Sequence, residues 1–268
     1  MSNAVMPLSD YKNACDKIRE KTESTDTIKS GDLADKVNEV YEKGKQDEYD
    51  RFWDSFQENG ERKEYQYAFG SLAWNDETFK PKYDFNLTNL YNSFRQTGIT
   101  NLEECLEKAG VKLDTSSISR AGYMAYAFAE SSTLTVVPEI TIAAGNTNCN
   151  SLFFSSRKLS TIRKIKLLNE TATFNNTFVN CEALENIVFE GVIGQDIAFA
   201  QSTKLTLESA ISIVSHLSDT ASSKTLTLSK TAVNNAFETA SGTADGSTSE
   251  EWLNLVATKP NWTISLST

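Results

Sequence analysis

A catalytic reading of this sequence has few residues to work with. His216 is the single histidine and therefore the single imidazole base. It stands beside Leu217 in a helical stretch, with no Gly-x-Ser-x-Gly elbow or cysteine nucleophile motif near it. Glu103-Glu104 and Glu250-Glu251 are adjacent carboxylate pairs. A glycosidase needs an acid and a base that face each other across a cleft. Both pairs instead open predicted helices, where negative charge complements the macrodipole. The four cysteines, Cys15, Cys105, Cys149 and Cys181, form no Cys-x-x-Cys pair and do not make up a zinc set with one histidine. They read as buried thiols. Abundant acidic residues leave Ca²⁺ open in principle, although no Asp-x-Asp-x-Asp-Gly loop occurs, and Gly242 and Gly246 belong to no phosphate-binding motif. The expectation is no enzyme, no cofactor and no metal, and a function of binding or assembly.

Charge narrows the partners. A net charge of −10 opposes a nucleic-acid backbone and anionic lipid headgroups. No apolar run approaches the roughly 18 residues of a membrane helix. Met1 to Tyr11 lacks the basic and apolar regions of a signal peptide, so production in the cytosol is expected.

The elements that would position a site begin with helices. Tyr11, Ala14, Cys15 and Ile18 share a helical face behind Ser9-Asp10. A second helix is predicted from about Asp32 to about Gln57. Leu33, Val37, Val40 and Tyr41 space helically, and Tyr49, Phe52, Trp53 and Phe56 repeat the pattern. This seam would either join copies of the chain as a coiled coil or dock on the chain's own repeat domain. Residues 61–120 are aromatic-rich (Tyr65, Tyr67, Phe69, Trp74, Phe79, Tyr83, Phe85, Tyr91) and read as a cap with a first repeat; a sugar-binding platform is the alternative. Thr100-Asn101-Leu102-Glu103 reads as a capping box, with Gly110 ending the helix.

Self-similarity carries the fold. Phe128, Phe153 and Phe178 recur every 25 residues, as do Leu134, Leu159 and Leu184, and Val137, Ile162 and Ile187. Small residues Ser131, Ser156 and Cys181 follow each Phe by three, and apolar Met124, Cys149 and Phe174 precede it by four. Each unit has too few apolar side chains for its own core, so stacking must bury them in columns. Short strands are expected at Ile140–Ile142 and Ile165–Leu167. Phe189 comes one residue early in the third unit, which predicts a bulge or the approach of the array's end. A unit at Phe94 would be stretched, because 34 residues separate it from Phe128. Beyond Ser202 the pattern changes. Thr206 caps a helix with Leu207, Ala210, Ile211, Val214 and Leu217, Thr225 to Leu228 reads as a strand, and a helix covers Ala232 to Ala240. Ser247 to Glu250 reads as a second capping box before Trp252, Leu255 and Val256, and Trp262 to Leu266 as a last strand. The whole is expected to be α+β. N-terminal helices (1–60) and the cap (61–120) precede repeats over 121–201, and degenerate units over 202–268 close a solenoid.

Tyr126-Ala127-Phe128 and the Thr177 to Ile187 segment resemble leucine-rich repeats of the BspA-like kind. Asp10 to Thr22, Ile28 to Ala34 and Ala257 to Ile264 are similar to the ends of minor structural proteins of tailed phages and prophages of Gram-positive bacteria. The resemblance implies a tail, baseplate or fibre protein, assembled in the host cytoplasm and carried on the virion. Its implied partners are other tail or baseplate proteins through the N-terminal helices, further copies of itself in a homo-oligomer such as a trimer, and a host-surface glycan or protein. A leucine-rich-repeat adhesin and a polysaccharide depolymerase are the alternatives.

Overall fold

The computed structural model describes residues 68–268, except 71, 73, 87, 146–147, 221–222 and 242–244, together with Glu39, Lys43, Gly44, Gln46, Asp47 and Asp50. Those six are helical. The eight seam residues predicted for oligomerisation or docking, Leu33, Val37, Val40, Tyr41, Tyr49, Phe52, Trp53 and Phe56, lie outside the described residues, as does the helix predicted from Ser9. The chain divides into two compact units, Met1–Glu61 and Arg62–Thr268. The boundaries expected near 120 and 201 fall inside the second.

That second unit is mixed α/β, with parallel sheets and, among the described residues, four α-helices. In chain order its elements are β1 (Phe85–Asn86), α1 (Leu102–Ala109), β2 (Leu113–Asp114), β3 (Val136–Val137), β4 (Ile140–Ile142), β5 (Thr161–Leu167), β6 (Asn186–Glu190), β7 (Ile197–Phe199), α2 (Leu207–Ser215), β8 (Lys224–Ser229), α3 (Lys230–Ser241), α4 (Glu250–Ala257) and β9 (Trp262–Ser267). Strands β3 and β4 both pair with β5, which pairs with β6, all parallel. Registers such as Val137↔Ile162↔Ile187 and Ile140↔Ile165 reproduce the 25-residue spacing. The register shifts between Ile162 and Ile165, where Ile165 faces Phe189. The early phenylalanine is therefore accommodated by a bulge.

The phenylalanines form a column. Ring centroids of Phe94, Phe128, Phe153 and Phe178 follow one another at 5.5, 5.5 and 5.8 Å, with planes within 22° of parallel. The column is longer than the three spaced positions. Phe69 stacks on Phe94 at 4.9 Å, and Phe199 on Phe178 at 4.3 Å. Phe69 precedes Phe94 by the same 25 residues. Leu134, Leu159 and Leu184, with Val137, Ile162 and Ile187, are buried beside the rings. At the N-terminal end Phe79 packs edge-on against both Phe69 and Phe94, and Trp74 edge-on against Phe69 and Phe79.

Each small residue three positions after a Phe has a polar task. Ser131 Oγ donates to Phe94 O (2.9 Å), Ser156 Oγ to Phe128 O (2.6 Å) and Cys181 Sγ to Phe153 O (3.2 Å). Among the described residues Phe128 O has no backbone donor and depends on its hydroxyl, whereas Phe94 O and Phe153 O also accept backbone N–H bonds, from Thr97 and Ser156. Around the rings the chain runs through consecutive turns, with residues two before and two after each Phe at positive φ: Asn92 and Gln96, Tyr126 and Glu130, Ser151 and Ser155, Asn176 and Asn180. Turned backbone of this kind aims N–H groups at the next unit, as in Phe128 N–H to Leu152 O (2.9 Å) and Phe153 N–H to Thr177 O (3.2 Å).

Helices stand where the strands of the repeat stop. The stretch between Phe94 and Phe128 is long because it holds α1. Its N-cap is Asn101 rather than Thr100: the Asn101 side chain accepts from Glu104 N–H and its amide donates to Glu104 Oε2 at 3.3 Å. The Asn101 backbone N–H lies 3.4 Å from Asp76 Oδ1, so the cap sits one residue later than expected and without the reciprocal bond of a box. Likewise Ser249, not Ser247, caps α4; Ser247 lies in a 3₁₀ turn bonded to Asp245. On the other side of the sheet, α2 covers β6. Ser209 Oγ accepts from Ile187 N–H (3.0 Å) and donates to Glu185 O (2.9 Å), while Ser212 Oγ accepts from Phe189 N–H (2.9 Å). The exposed edge of β6 is thus closed by two hydroxyls one helical turn apart. Ser209→Ala strands the buried Ile187 N–H and is expected to cost about 1–3 kcal/mol, measurable as a lower urea midpoint with an unchanged slope. Strands β1 and β2 pair with each other in parallel, and the last three strands form a parallel sheet in the order β7-β8-β9, with α3 and α4 between β8 and β9.

Candidate binding surfaces

The residues with catalytic potential are placed apart. His216 ends α2, its Nδ1 2.7 Å from Ser212 O. Glu103 and Glu104 lie in the first turn of α1, where Glu103 meets Arg163 Nε at 2.6 Å and Glu104 meets Lys108 Nζ at 2.6 Å. Glu250 and Glu251 lie in the first turn of α4. Among the described residues no group of three or more His, Cys, Asp or Glu is arranged to hold a metal ion. No described helix is long and apolar enough to cross a membrane.

The thiols of Cys105, Cys149 and Cys181 are buried and reduced. Burial pushes each up from 9.0 to about 12, and Asp76, 3.5 Å from Cys105 Sγ, adds to the rise at that thiol. Because an unfolded thiol ionises near 9.0 and these do not until about 12, the stability they contribute is complete below pH 9. It is lost as pH climbs between those values. A thiolate is also the form that reacts. Iodoacetamide at neutral pH should therefore leave these three unmodified in the native chain and label all three in denaturant, as read by peptide mass spectrometry.

Two surfaces have the geometry of a binding site. The first is the outward face of β4, β5 and β6. Along β5, Ile162, Ile165 and Leu167 are buried while Arg163, Lys164 and Lys166 face outward, the bulge between Ile162 and Ile165 leaving two consecutive residues on the outer side. Lys164 Nζ lies 3.3 Å from Glu139 and 3.1 Å from Glu190, and Lys166 Nζ lies 2.7 Å from Glu190. Hydrogen bonds to Lys166 and Lys164 hold the Glu190 carboxyl below its ordinary range, and those to Glu190 and Glu139 raise the Lys164 ammonium. These exposed pairs contribute little to stability. Their effect is to fix a pattern of alternating charge on a flat face, with Val188 exposed beside it. Next to this face, Leu106, Val111 and Pro138 line a cleft of about 500 Å³ rimmed by Glu103, Glu107 and Glu139.

The second surface is a groove of about 450 Å³ between the last turned segment and the C-terminal sheet. Asn175 and Asn176 form one wall; Asp196, Ala198, Thr225 and Thr227 form the floor and the opposite wall. Alternation explains the floor. In β8, Leu226 and Leu228 point to the core, which leaves Thr225 and Thr227 outward, and the register places Ala198 and Ser265 beside Thr227 and Thr263 beside Thr225. Thr225 N–H donates to Asp196 Oδ1 (2.7 Å), and the Thr227 and Ser265 hydroxyls are 3.0 Å apart. The sequence marked Thr225 to Leu228 only as a strand. Nothing in it shows that Asn175 and Asn176, some 50 residues earlier, stand opposite. A scan against protein-family models matches none, and neither the curated proteins nor the solved structures include a match.

Proposed function

We propose that Arg62–Thr268 is a leucine-rich-repeat solenoid of the BspA-like kind. We propose further that the chain is a structural component of a phage-type tail, baseplate or fibre, acting in virion assembly and in recognition of a host surface. The observation that carries the repeat reading is the unbroken column from Phe69 to Phe199, in which rings of successive units lie 4.3–5.8 Å apart. Such a stack keeps its apolar ladders inside and leaves outward positions free to vary, which suits a recognition surface. The particle assignment draws on the resemblance of Asp10 to Thr22, Ile28 to Ala34 and Ala257 to Ile264 to tail-protein ends, with the N-terminal helices as the attachment and oligomerisation element.

The test is physical association. Tail-like particles sedimented from a lysate of producing cells should carry the chain at the tail end, seen by gold-labelled antibody, and the purified chain should have the mass of an oligomer. A strict monomer that neither sediments with particles nor adheres to host envelopes would remove this reading.

A further inference from the structure

We propose that the groove between Asn175-Asn176 and the β7–β8 face binds a neutral, hydroxyl-rich ligand: one or two rings of an uncharged sugar. The proposal takes from the tail reading only the biological source of such a sugar; its chemistry rests on the groove alone.

The lining decides the class. Its polar groups are two amides, two hydroxyls and one carboxylate, with no cation among them. An anion would face Asp196 and a chain of net charge −10 with no compensating base. A cation would find a single carboxylate, one of whose oxygens is already taken by Thr225 N–H. Sugar hydroxyls both donate and accept, and this set offers both roles: amide and hydroxyl donors, with amide, hydroxyl and carboxylate acceptors. Asp196 Oδ1 is fixed by the backbone of β8, which orients Oδ2 as an acceptor for a neighbouring pair of hydroxyls.

The groove exists because the repeat changes character here. In two of the three earlier units the residue equivalent to Asn176 donates its backbone N–H to the unit that follows, Asn92 to Ala125 O (3.3 Å) and Ser151 to Asn175 O (2.9 Å), while Tyr126 N–H makes no such bond among the described residues. After Asn176 the next pass of chain is the strand β7 instead of another turned segment, and among the described residues Asn176 N–H makes no such bond. A ladder donor is therefore presented at the wall of the groove beside the Asn176 amide. An extended peptide is the poorer occupant, because the large apolar lining residues, Phe174 and Ile197, are themselves buried and the other lining residues, Ala198 apart, are polar. At about 450 Å³ the space suits a small ligand, and its shallowness predicts weak binding by one site, strengthened when several copies act together.

The experiment uses the full chain and saturation-transfer NMR. The probes are glucose, galactose, rhamnose, N-acetylglucosamine and disaccharides of these, with sialic acid, glucosamine and trialanine as charged and peptide comparisons. At least one neutral sugar should receive saturation. Asp196→Asn, which retains an oxygen for Thr225 N–H, and Thr227→Val should each weaken binding by about tenfold or more. Asn176→Gly tolerates the positive φ and should weaken it as well. Each variant should melt with the wild-type chain, which separates lost contacts from lost fold. No neutral sugar bound at about 10 mM, binding that all three substitutions leave intact, or preference for sialic acid, glucosamine or trialanine would overturn the proposal. Particle association is scored separately. An Asp196→Asn chain that still joins particles but binds no sugar supports both readings. A chain that binds sugar through this groove without joining particles removes the tail assignment and keeps the site.

Discussion

Phe153→Ala is expected to lower the stability of the second unit by about 3–5 kcal/mol, the range for removing a large aromatic side chain from a packed core. Phe153 is fully buried and contacts a ring on each side, Phe128 at 5.5 Å and Phe178 at 5.8 Å. Truncation therefore loses two stacking contacts as well as the transfer energy of one ring. Neighbouring units are tied by backbone bonds above and below, so they cannot close around the hole. Phe154 is the internal comparison: it follows Phe153 in the turn but is only half-buried, and alanine there should cost about 1 kcal/mol or less. Urea denaturation of the two variants measures the contrast. Equal losses would mean that the column does not bear the stability assigned to it.

Gly191→Val is the other large effect. Gly191 follows β6 at φ +92, and a Cβ there would run into the Leu167 carbonyl at the end of β5. Valine adds a branched side chain to a conformation that L-residues avoid. The combined loss is expected to be about 2–4 kcal/mol. Gly110→Ala separates the two causes. Gly110 has φ +68 but open space around its Cβ direction, so alanine there should cost only the conformational part, about 1–2 kcal/mol. Thermal unfolding of both variants reads the difference. If Gly191→Val behaved like Gly110→Ala, the close approach of β6's end to β5 would be wrong.

Legibility in the sequence followed burial. Phe128, Phe153 and Phe178 occupy the same environment in consecutive units, so selection for one buried shape leaves one residue type at one spacing. Phe69 sits 25 residues before Phe94, yet the 34-residue gap that follows hides the relation, because α1 replaces a strand there. Phe199 comes only 21 residues after Phe178 for a related reason: the chain enters β7 directly and makes no second turned segment. The positive-φ positions were less visible. Asn92, Asn176 and Asn180 are suited to that conformation, but Gln96, Glu130, Ser151 and Ser155 hold it with backbone bonds to the next unit that leave no local trace. Helix caps slipped by one or two residues because Thr100, Asn101, Ser247 and Ser249 all have side chains able to cap. Only the chain path determines which one reaches the first free N–H.

The sites were harder to read than the fold. Alternation places Lys166 of β5 and Thr225 and Thr227 of β8 on a surface, whereas Arg163 and Lys164 both face outward because of the bulge between Ile162 and Ile165. Their partners come from elsewhere: Glu103 lies 60 residues before Arg163, and Asn175 and Asn176 arrive opposite Thr225 only through the turn of the chain. No periodicity records such meetings.

Stacking of successive units is most directly tested by ring-to-ring nuclear Overhauser effects in a chain labelled only at phenylalanine, assigned by single Phe→Leu variants. Cross-peaks should join Phe153 to Phe128 and to Phe178, and Phe94 to both Phe69 and Phe128. Phe153 should show none to Phe69 or Phe199. Absence of the Phe128–Phe153–Phe178 connections in a folded chain would contradict the column and the repeat architecture built on it.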